Sequence, residues 1–171
     1  KAGNLQTQGS TLVTGAFISD TKNPDGTRTT NYSGSLANAF SAIASAGASG
    51  CGFEQHIEAA KRALNNNPAN AGFLRPDAFL AVAFITNEDD CSAPPNTTLF
   101  DLSAYSQASP LGPLVFRCNE FGHLCGGVAP PRNGTTPVTI TADCHSNESG
   151  NLLYPVGTIA SFFKSLKPDP G

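Results

Sequence analysis

The hydrophobic pattern of the chain is dominated by one almost wholly apolar run, residues 78–86, with the sequence AFLAVAFIT. A run of this length that is rich in Val, Ile and Phe is typical of a strand buried on both faces, as in parallel sheets covered by helices. Four polar residues end the run abruptly: Asn87, Glu88, Asp89 and Asp90. The pattern therefore predicts a buried strand and an α/β fold.

Three other segments have the apolar spacing of amphipathic helices, namely residues 35–45, 52–64 and 154–166. Ser33 or Ser35 is a suitable N-cap for the first of them. Pro155 suits the first turn of the last one.

Two regions lack periodicity. Residues 1–34 are polar and are expected to be irregular, apart from a turn at the Pro-Asp-Gly sequence of residues 24–26. Residues 92–151, directly after Cys91, form a long excursion rich in cysteine and proline, in which residues 112–117 and 137–141 could be short strands. One buried strand cannot make a sheet, so either the polar regions contain other strands or a flanking segment supplies them, and we favour the flanking segment.

Charge and hydropathy exclude two classes of partner. The formal net charge is −3 and there is no basic run, which argues against binding to nucleic acid or to an anionic membrane surface. No apolar stretch approaches the roughly 18 residues that a membrane-spanning helix needs.

The five cysteines are Cys51, Cys91, Cys118, Cys125 and Cys144. None forms a Cys-x-x-Cys pair, and the spacings do not match a zinc site. We expect Cys91, Cys118, Cys125 and Cys144 to form two disulfides in an oxidising compartment, with three connectivities open. The odd count leaves one thiol over.

The acidic residues after the apolar run are candidate metal ligands. Carboxylates at the carboxyl end of a buried strand lie where α/β sheets bind ligands, and hard oxygen ligands suit Ca²⁺ or Mg²⁺. Side chains alternate along a strand, so at most two of Glu88, Asp89 and Asp90 are expected to ligate directly. In the competing interpretation one of them caps a turn or binds Arg75 and the others face water.

Five stretches together resemble a von Willebrand factor A-like domain of bacterial secreted or cell-envelope proteins. They are residues 50–55 (GCGFEQ), 69–77 (ANAGFLRPD), 87–92 (NEDDCS), 117–122 (RCNEFG) and 166–170 (LKPDP). The resemblance covers roughly residues 33–170. It implies a doubly wound, mostly parallel sheet flanked by helices, with a metal-ion-dependent adhesion site at the top of the sheet.

The same resemblance places two neutral ligands at that site. Ser49 falls where the second loop contributes a hydroxyl, and Asn87 falls at the third-loop position, beside the three acids. The first-loop motif, Asp-x-Ser-x-Ser, is not found, and Asn31 to Ser35 only imitates it. We therefore expect residues 1–171 to be a single, incomplete domain whose first loop precedes Lys1. The resemblance also implies a cysteine near Ala42, and its loss here would leave Cys51 as the free thiol.

The function predicted on these grounds is an extracellular or cell-surface protein-binding or adhesion module, with Ca²⁺ or Mg²⁺ as its candidate ion. The alternative is a structural subunit or processed fragment of a larger surface assembly with no metal requirement. In either case the partner is a protein or the remainder of the same polypeptide. No catalytic residues are assigned and the chain is not expected to be an enzyme, since no Gly-x-Ser-x-Gly elbow or Gly-rich phosphate loop is found.

Overall fold

The computed structural model describes residues 2–45, 47, 49–50, 52–103, 105–132 and 143–168. These residues divide into two compact units. Unit 1 comprises Lys1–Gly50 and Arg62–Leu80, and unit 2 comprises Cys51–Lys61 and Ala81–Gly171. Each unit is described separately.

Helices and short antiparallel hairpins make up the regular structure of the described residues. The helices are α1 (Leu36–Ala44), α2 (His56–Leu64), α3 (Arg117–Gly122) and α4 (Val156–Ser165), with single 3₁₀ turns at Pro68–Asn70 and Leu114–Phe116. The strands are β1 (Asp20–Lys22), β2 (Arg28–Thr30), β3 (His123–Leu124) and β4 (His145–Ser146).

The predicted doubly wound, mostly parallel sheet is wrong. Within the described part of the chain there are only two sheets, each with two strands, in which β1 pairs with β2 and β3 pairs with β4, both antiparallel. No helix-covered parallel sheet is formed from these residues, so the fold is not a doubly wound α/β fold.

The apolar run is the origin of that error. Residues 78–86 lie outside every described strand, and residues 81–89 are exposed. A strand is stabilised by hydrogen bonds to a neighbouring strand. The backbone of residues 79–86 forms no hydrogen bond to another described backbone group. An apolar composition favours a buried strand, but it cannot supply the neighbours that such a strand requires.

In unit 1, the Pro-Asp-Gly turn closes a β-hairpin. Asp20 pairs with Thr30 and Lys22 with Arg28 across β1 and β2, so residues 1–34 are more regular than predicted. Gly26 has φ +88°, a left-handed conformation that glycine adopts at little cost. Arg28 Nε donates to Asp20 Oδ1 at 2.6 Å, and Tyr32 Oη donates to Asp20 Oδ2 at 2.7 Å. These two hydrogen bonds, that from Tyr32 foremost, lower the pKa of Asp20.

The N-cap prediction for the first helix is confirmed. The Oγ of Ser35 accepts a hydrogen bond from the backbone N–H of Asn38 at 3.2 Å. This bond satisfies one of the free N–H groups at the start of α1. Within the helix Ala39 is buried, while Leu36 and Phe40, predicted to lie on the same apolar face, are about half exposed.

Asn70 ties the amino-terminal segment of unit 1 to the end of α2. Its buried amide Nδ2 donates to the carbonyls of Gly3 and Ala63, both at 2.9 Å, and its Oδ1 accepts from Leu5 N–H at 2.9 Å. Gly3 has φ +82°, and a Cβ there would lie 2.5 Å from the Cβ of Arg62. A side chain at position 3 would therefore clash with Arg62 in α2 and push the amino-terminal segment away from the helix.

The predicted excursion forms much of the core of unit 2. Its buried cluster consists of Cys91, Ala93, Leu99 and Cys118, and the partly buried residues packed against it are Phe53, Phe100, Phe121, Leu152 and Leu153. Residues 112–117 are not a strand, because they form the 3₁₀ turn and the start of α3. Residues 137–141, the other predicted strand, lie outside the described residues.

Two arginines hold the loops of unit 2. The wholly buried guanidinium of Arg117 donates to the carbonyls of Gly112, Leu99 and Asp101 at 3.2, 2.7 and 2.6 Å. Arg132 Nε lies 2.9 Å from both carboxylate oxygens of the buried Glu120. The other nitrogens of Arg132 donate to three loop carbonyls, those of Gln107, Ser109 and Pro110.

The last helix, α4, begins on a carboxylate. Glu148 Oε1 accepts from Val156 N–H at 3.1 Å, and Oε2 accepts from Gly157 N–H at 3.0 Å. A negative charge at a helix N-terminus is favourable because it complements the free N–H groups and the helix dipole. Hydrogen bonds from Ser146 and from these backbone groups lower the pKa of Glu148.

We predict that Arg117→Lys destabilises unit 2 by about 2–4 kcal/mol, because a single ammonium cannot reach all three carbonyls and leaves buried acceptors without donors. The measurement is urea-induced unfolding under non-reducing conditions. Arg28→Lys is the control, since the Arg28 side chain is 54% exposed and a solvent-screened surface ion pair such as that with Asp20 contributes little to stability. Equal losses in the two variants would contradict the assignment.

Candidate functional site

Unit 2 has a short apolar stretch that the described residues of the unit leave exposed. We call residues 81–86 (AVAFIT) the exposed segment and residues 87–90 (NEDD) the acidic turn. All six residues of this segment are exposed to solvent. Exposed contiguous apolar surface of this kind marks interaction sites more often than single exposed apolar residues do.

Exposure of the large side chains is uneven along this part of the chain. Ile85 is 94% exposed and Phe79, earlier in the same run, is fully exposed, whereas Val82 and Phe84 are about 40% exposed. The bare side chains are thus at odd-numbered positions and the half-covered side chains at even-numbered positions. Such alternation is the pattern that a strand-like backbone gives, since successive side chains point to opposite sides.

Phe84 is the point where the exposed segment packs on unit 2. Its ring centroid lies 5.9 Å from that of His56 at the start of α2 and 6.2 Å from that of Phe163 in α4. Phe163 in turn packs edge-on against Phe162 at 5.3 Å. These aromatic contacts hold one side of the exposed segment against two helices and leave the Ile85 side bare.

The acidic turn is anchored through Asp90, which caps α2. Asp90 Oδ1 accepts from Ile57 N–H at 3.1 Å and from Ser92 Oγ at 2.9 Å, and Oδ2 accepts from Ser92 N–H at 2.9 Å. Ser92 Oγ also accepts from Glu58 N–H at 2.7 Å. Asp90 and Ser92 thus satisfy two free N–H groups at the start of the helix.

His56 lies beside this cap. Its Nε2 is 3.6 Å from Asp90 Oδ1, while its buried Nδ1 has no hydrogen-bond partner in the described structure. Serine, histidine and aspartate are therefore neighbours here, but not in the order of a catalytic triad. Ser92 is buried and donates its hydroxyl proton to Asp90 rather than to His56.

Of the predicted metal ligands in unit 2, only Asp90 has a side chain held by hydrogen bonds to other described residues. Asn87, Glu88 and Asp89 are exposed in unit 2, Asp90 is occupied by its hydrogen bonds, and Ser49 belongs to unit 1. Among the described residues, no group of three or more His, Cys, Asp or Glu side chains could hold a metal ion. The contacts of Asp90 correspond to the competing interpretation, in which one acid acts as a cap.

The two disulfides join Cys91 to Cys118 and Cys125 to Cys144. They close loops separated by 27 and 19 residues in the sequence, and in the chain-entropy treatment loops of this size contribute about 3–4 kcal/mol each. The first bridge lies in the core of unit 2 and fixes the residue that follows the acidic turn. Cys51 lies outside the described residues.

Several important side chains were missed by the sequence reasoning. Arg117 and Glu120 were noted only as part of a motif, although both are buried and bind the excursion. Glu148 was not singled out, although it caps α4. No local signal pointed to Glu148, because it lies eight residues before Val156, the first residue of α4, outside the range of a helix cap in sequence.

In comparisons with family models, curated proteins and solved structures, nothing matches the chain. The resemblance to von Willebrand factor A-like domains therefore remains a hypothesis. Among the described helices, none is both long enough and apolar enough to cross a membrane.

We predict that Cys51 carries the single free thiol, because the chain has five cysteines and the other four are paired in two bridges. Alkylation of the denatured, unreduced protein followed by peptide mass spectrometry should modify Cys51 alone. The same treatment after reduction is the control and should modify all five. Modification of three or more cysteines without reduction would contradict the pairing.

Proposed function

We propose that this protein is an extracellular or cell-surface protein-binding module that pairs the exposed segment, residues 81–86, with a β-strand of its partner. The observation that carries this proposal is the combination of exposed apolar side chains with a backbone free of hydrogen bonds to described residues. Addition of a strand to a free backbone is a common mode of protein recognition.

The backbone of the exposed segment is available for pairing. Its N–H and C=O groups are not bonded to another described backbone, and the nearest backbone bond beyond it is Cys91 N–H to Glu54 C=O at 2.6 Å. The carboxyl end of the site is therefore fixed to unit 2, while the segment keeps its own polar groups free. A partner strand would satisfy these groups without displacing an existing ladder.

The side chains of the exposed segment favour burial. Val82, Phe84 and Ile85 are strand-favouring residues, and pairing would remove their apolar surface from water. The backbone would provide much of the affinity, and these alternating side chains would provide specificity.

The two disulfides support the proposed compartment, because disulfides form and persist in oxidising environments. Secretion or display at the cell surface is accordingly part of the proposal.

A second candidate is a structural subunit of a larger surface assembly, joined permanently through the same segment. The 94% exposure of Ile85 favours this candidate, since permanent interfaces are more apolar than transient ones. The two candidates differ in whether the partner dissociates at measurable concentrations.

The test uses a soluble synthetic peptide with alternating Val and Thr and neutral polar ends. We expect it to bind, and we expect hydrogen exchange of residues 81–86 to slow when it does. Ala83→Pro should weaken binding at least about tenfold, because it removes an N–H donor from the segment. Binding is measured by fluorescence anisotropy.

Ala83→Val is the matched control, since it keeps the N–H group and the preference for a strand. It should bind as tightly as the unchanged protein. If hydrogen exchange slows at residues other than 81–86, or if the proline variant binds equally well, the proposal is contradicted.

Dependence on a divalent ion stays a separate prediction for the same surface. If Ca²⁺ or Mg²⁺ binds, the exposed carboxylates of Glu88 and Asp89 are the available charges, because both oxygens of Asp90 accept hydrogen bonds from the protein. Calorimetry on chelator-treated protein should then show heat that is lost in Asp89→Asn. No heat and no thermal shift at millimolar ion would leave the acidic turn without a metal role.

A further inference from the structure

We infer that the partner strand carries lysine or arginine at the end that meets the acidic turn. This inference rests on the proposed function and names the chemistry of its partner. It starts from the charges that follow the exposed segment directly in the sequence, those of Glu88 and Asp89.

These two carboxylates are unused within the described structure. Glu88 takes part in hydrogen bonds only through its backbone, which exchanges bonds with the Thr86 hydroxyl at 3.1 and 3.3 Å. The carboxylate of Asp89 forms no hydrogen bond to another described group, and its carbonyl lies 3.8 Å from Cys91 Sγ, which is part of a disulfide and has no proton to donate. Asp90 differs from both, because its carboxylate is directed to α2 and Ser92.

The position of the two charges relates them to one end of a bound strand. Successive residues of a strand are about 3.3 Å apart, and paired strands lie about 4.8 Å apart. A strand paired with residues 81–86 would therefore end within a Debye length, about 8–10 Å, of Glu88 and Asp89. A basic end would be attracted there and an acidic end repelled, so the acidic turn would select among apolar strands by charge.

The test compares four peptides that share the alternating Val-Thr core. One has neutral ends, one has two lysines at its amino end, one has two lysines at its carboxyl end, and one has glutamates at both ends. We expect one lysine peptide to bind about fivefold more tightly than the neutral peptide, and the glutamate peptide to bind more weakly. The preferred lysine position gives the strand direction, since a parallel strand brings its carboxyl end to the acidic turn.

The charge-swapped variant Glu88→Lys/Asp89→Lys provides the matched comparison. Relative to the neutral peptide, this variant should bind the glutamate peptide more tightly and should bind neither lysine peptide more tightly. The preference in the unchanged protein should shrink as salt is raised, because exposed charges are screened.

The outcomes separate the two proposals. If the neutral peptide binds residues 81–86 but the charged ends have no effect, the inference about the partner's charge is wrong and the proposed function stands. If no peptide binds, the proposed function itself is wrong. A preference for lysine that persists in the swapped variant would place the charge effect elsewhere and overturn the inference.

Discussion

Unit 2 depends on the burial of one guanidinium group. Arg117 has no exposed surface and donates to three carbonyls that lie between residues 99 and 112. A buried charge is costly unless hydrogen bonds replace the water it has lost, and planar arginine can bind several acceptors at once. Loops with little secondary structure have many carbonyls to satisfy. Arg117 meets both needs, since the loop carbonyls receive donors and the buried guanidinium receives acceptors. Loops with little regular structure can therefore form part of the core.

Arg117 is also linked to the candidate site, through Cys118, the next residue in the chain. Cys118 follows Arg117 and is bridged to Cys91, and Cys91 lies between the two residues that cap α2, Asp90 and Ser92. The carboxyl end of the acidic turn is therefore fixed by a covalent bond and by helix caps. A fixed end lowers the entropy that a partner must remove when it orders the exposed segment. The proposed binding mode needs backbone groups that are free and held in place, and this arrangement would provide both.

How much could be read from the sequence depends on the range of the interactions involved. The Ser35 cap of α1, the turn at Gly26 and the end of α2 at Leu64 are set by neighbours within a few residues, and all three were predicted. The apolar run failed because a strand is defined by partners far away in sequence. Composition reports the tendency to be buried, but it does not report what is available to bury against.

The same distinction explains the errors at the site. Three acids in sequence look alike, yet Asp90 differs from Glu88 and Asp89 through distant contacts: Asp90 accepts from Ile57, 33 positions away, and its partner Ser92 accepts from Glu58, 34 positions from Ser92. The two disulfides, with separations of 27 and 19 residues, and the contacts of Arg117 with Leu99 and Asp101, 18 and 16 residues away, are also non-local. A motif of adjacent residues therefore indicates which chemical groups are present, but it does not show which of those residues has a structural role and which faces solvent.

That division gives the acidic turn two separate roles. A carboxylate that caps a helix in a partly buried position has its oxygens occupied, and replacing those bonds would expose the free N–H groups of α2. Carboxylates that face solvent have no such cost and can respond to a partner. In the proposed binding mode, evolutionary change at Glu88 or Asp89 would alter the choice of partner with little effect on stability, whereas change at Asp90 would alter the helix first. On that proposal, the boundary between structure and recognition falls within four consecutive residues, between Asp89 and Asp90.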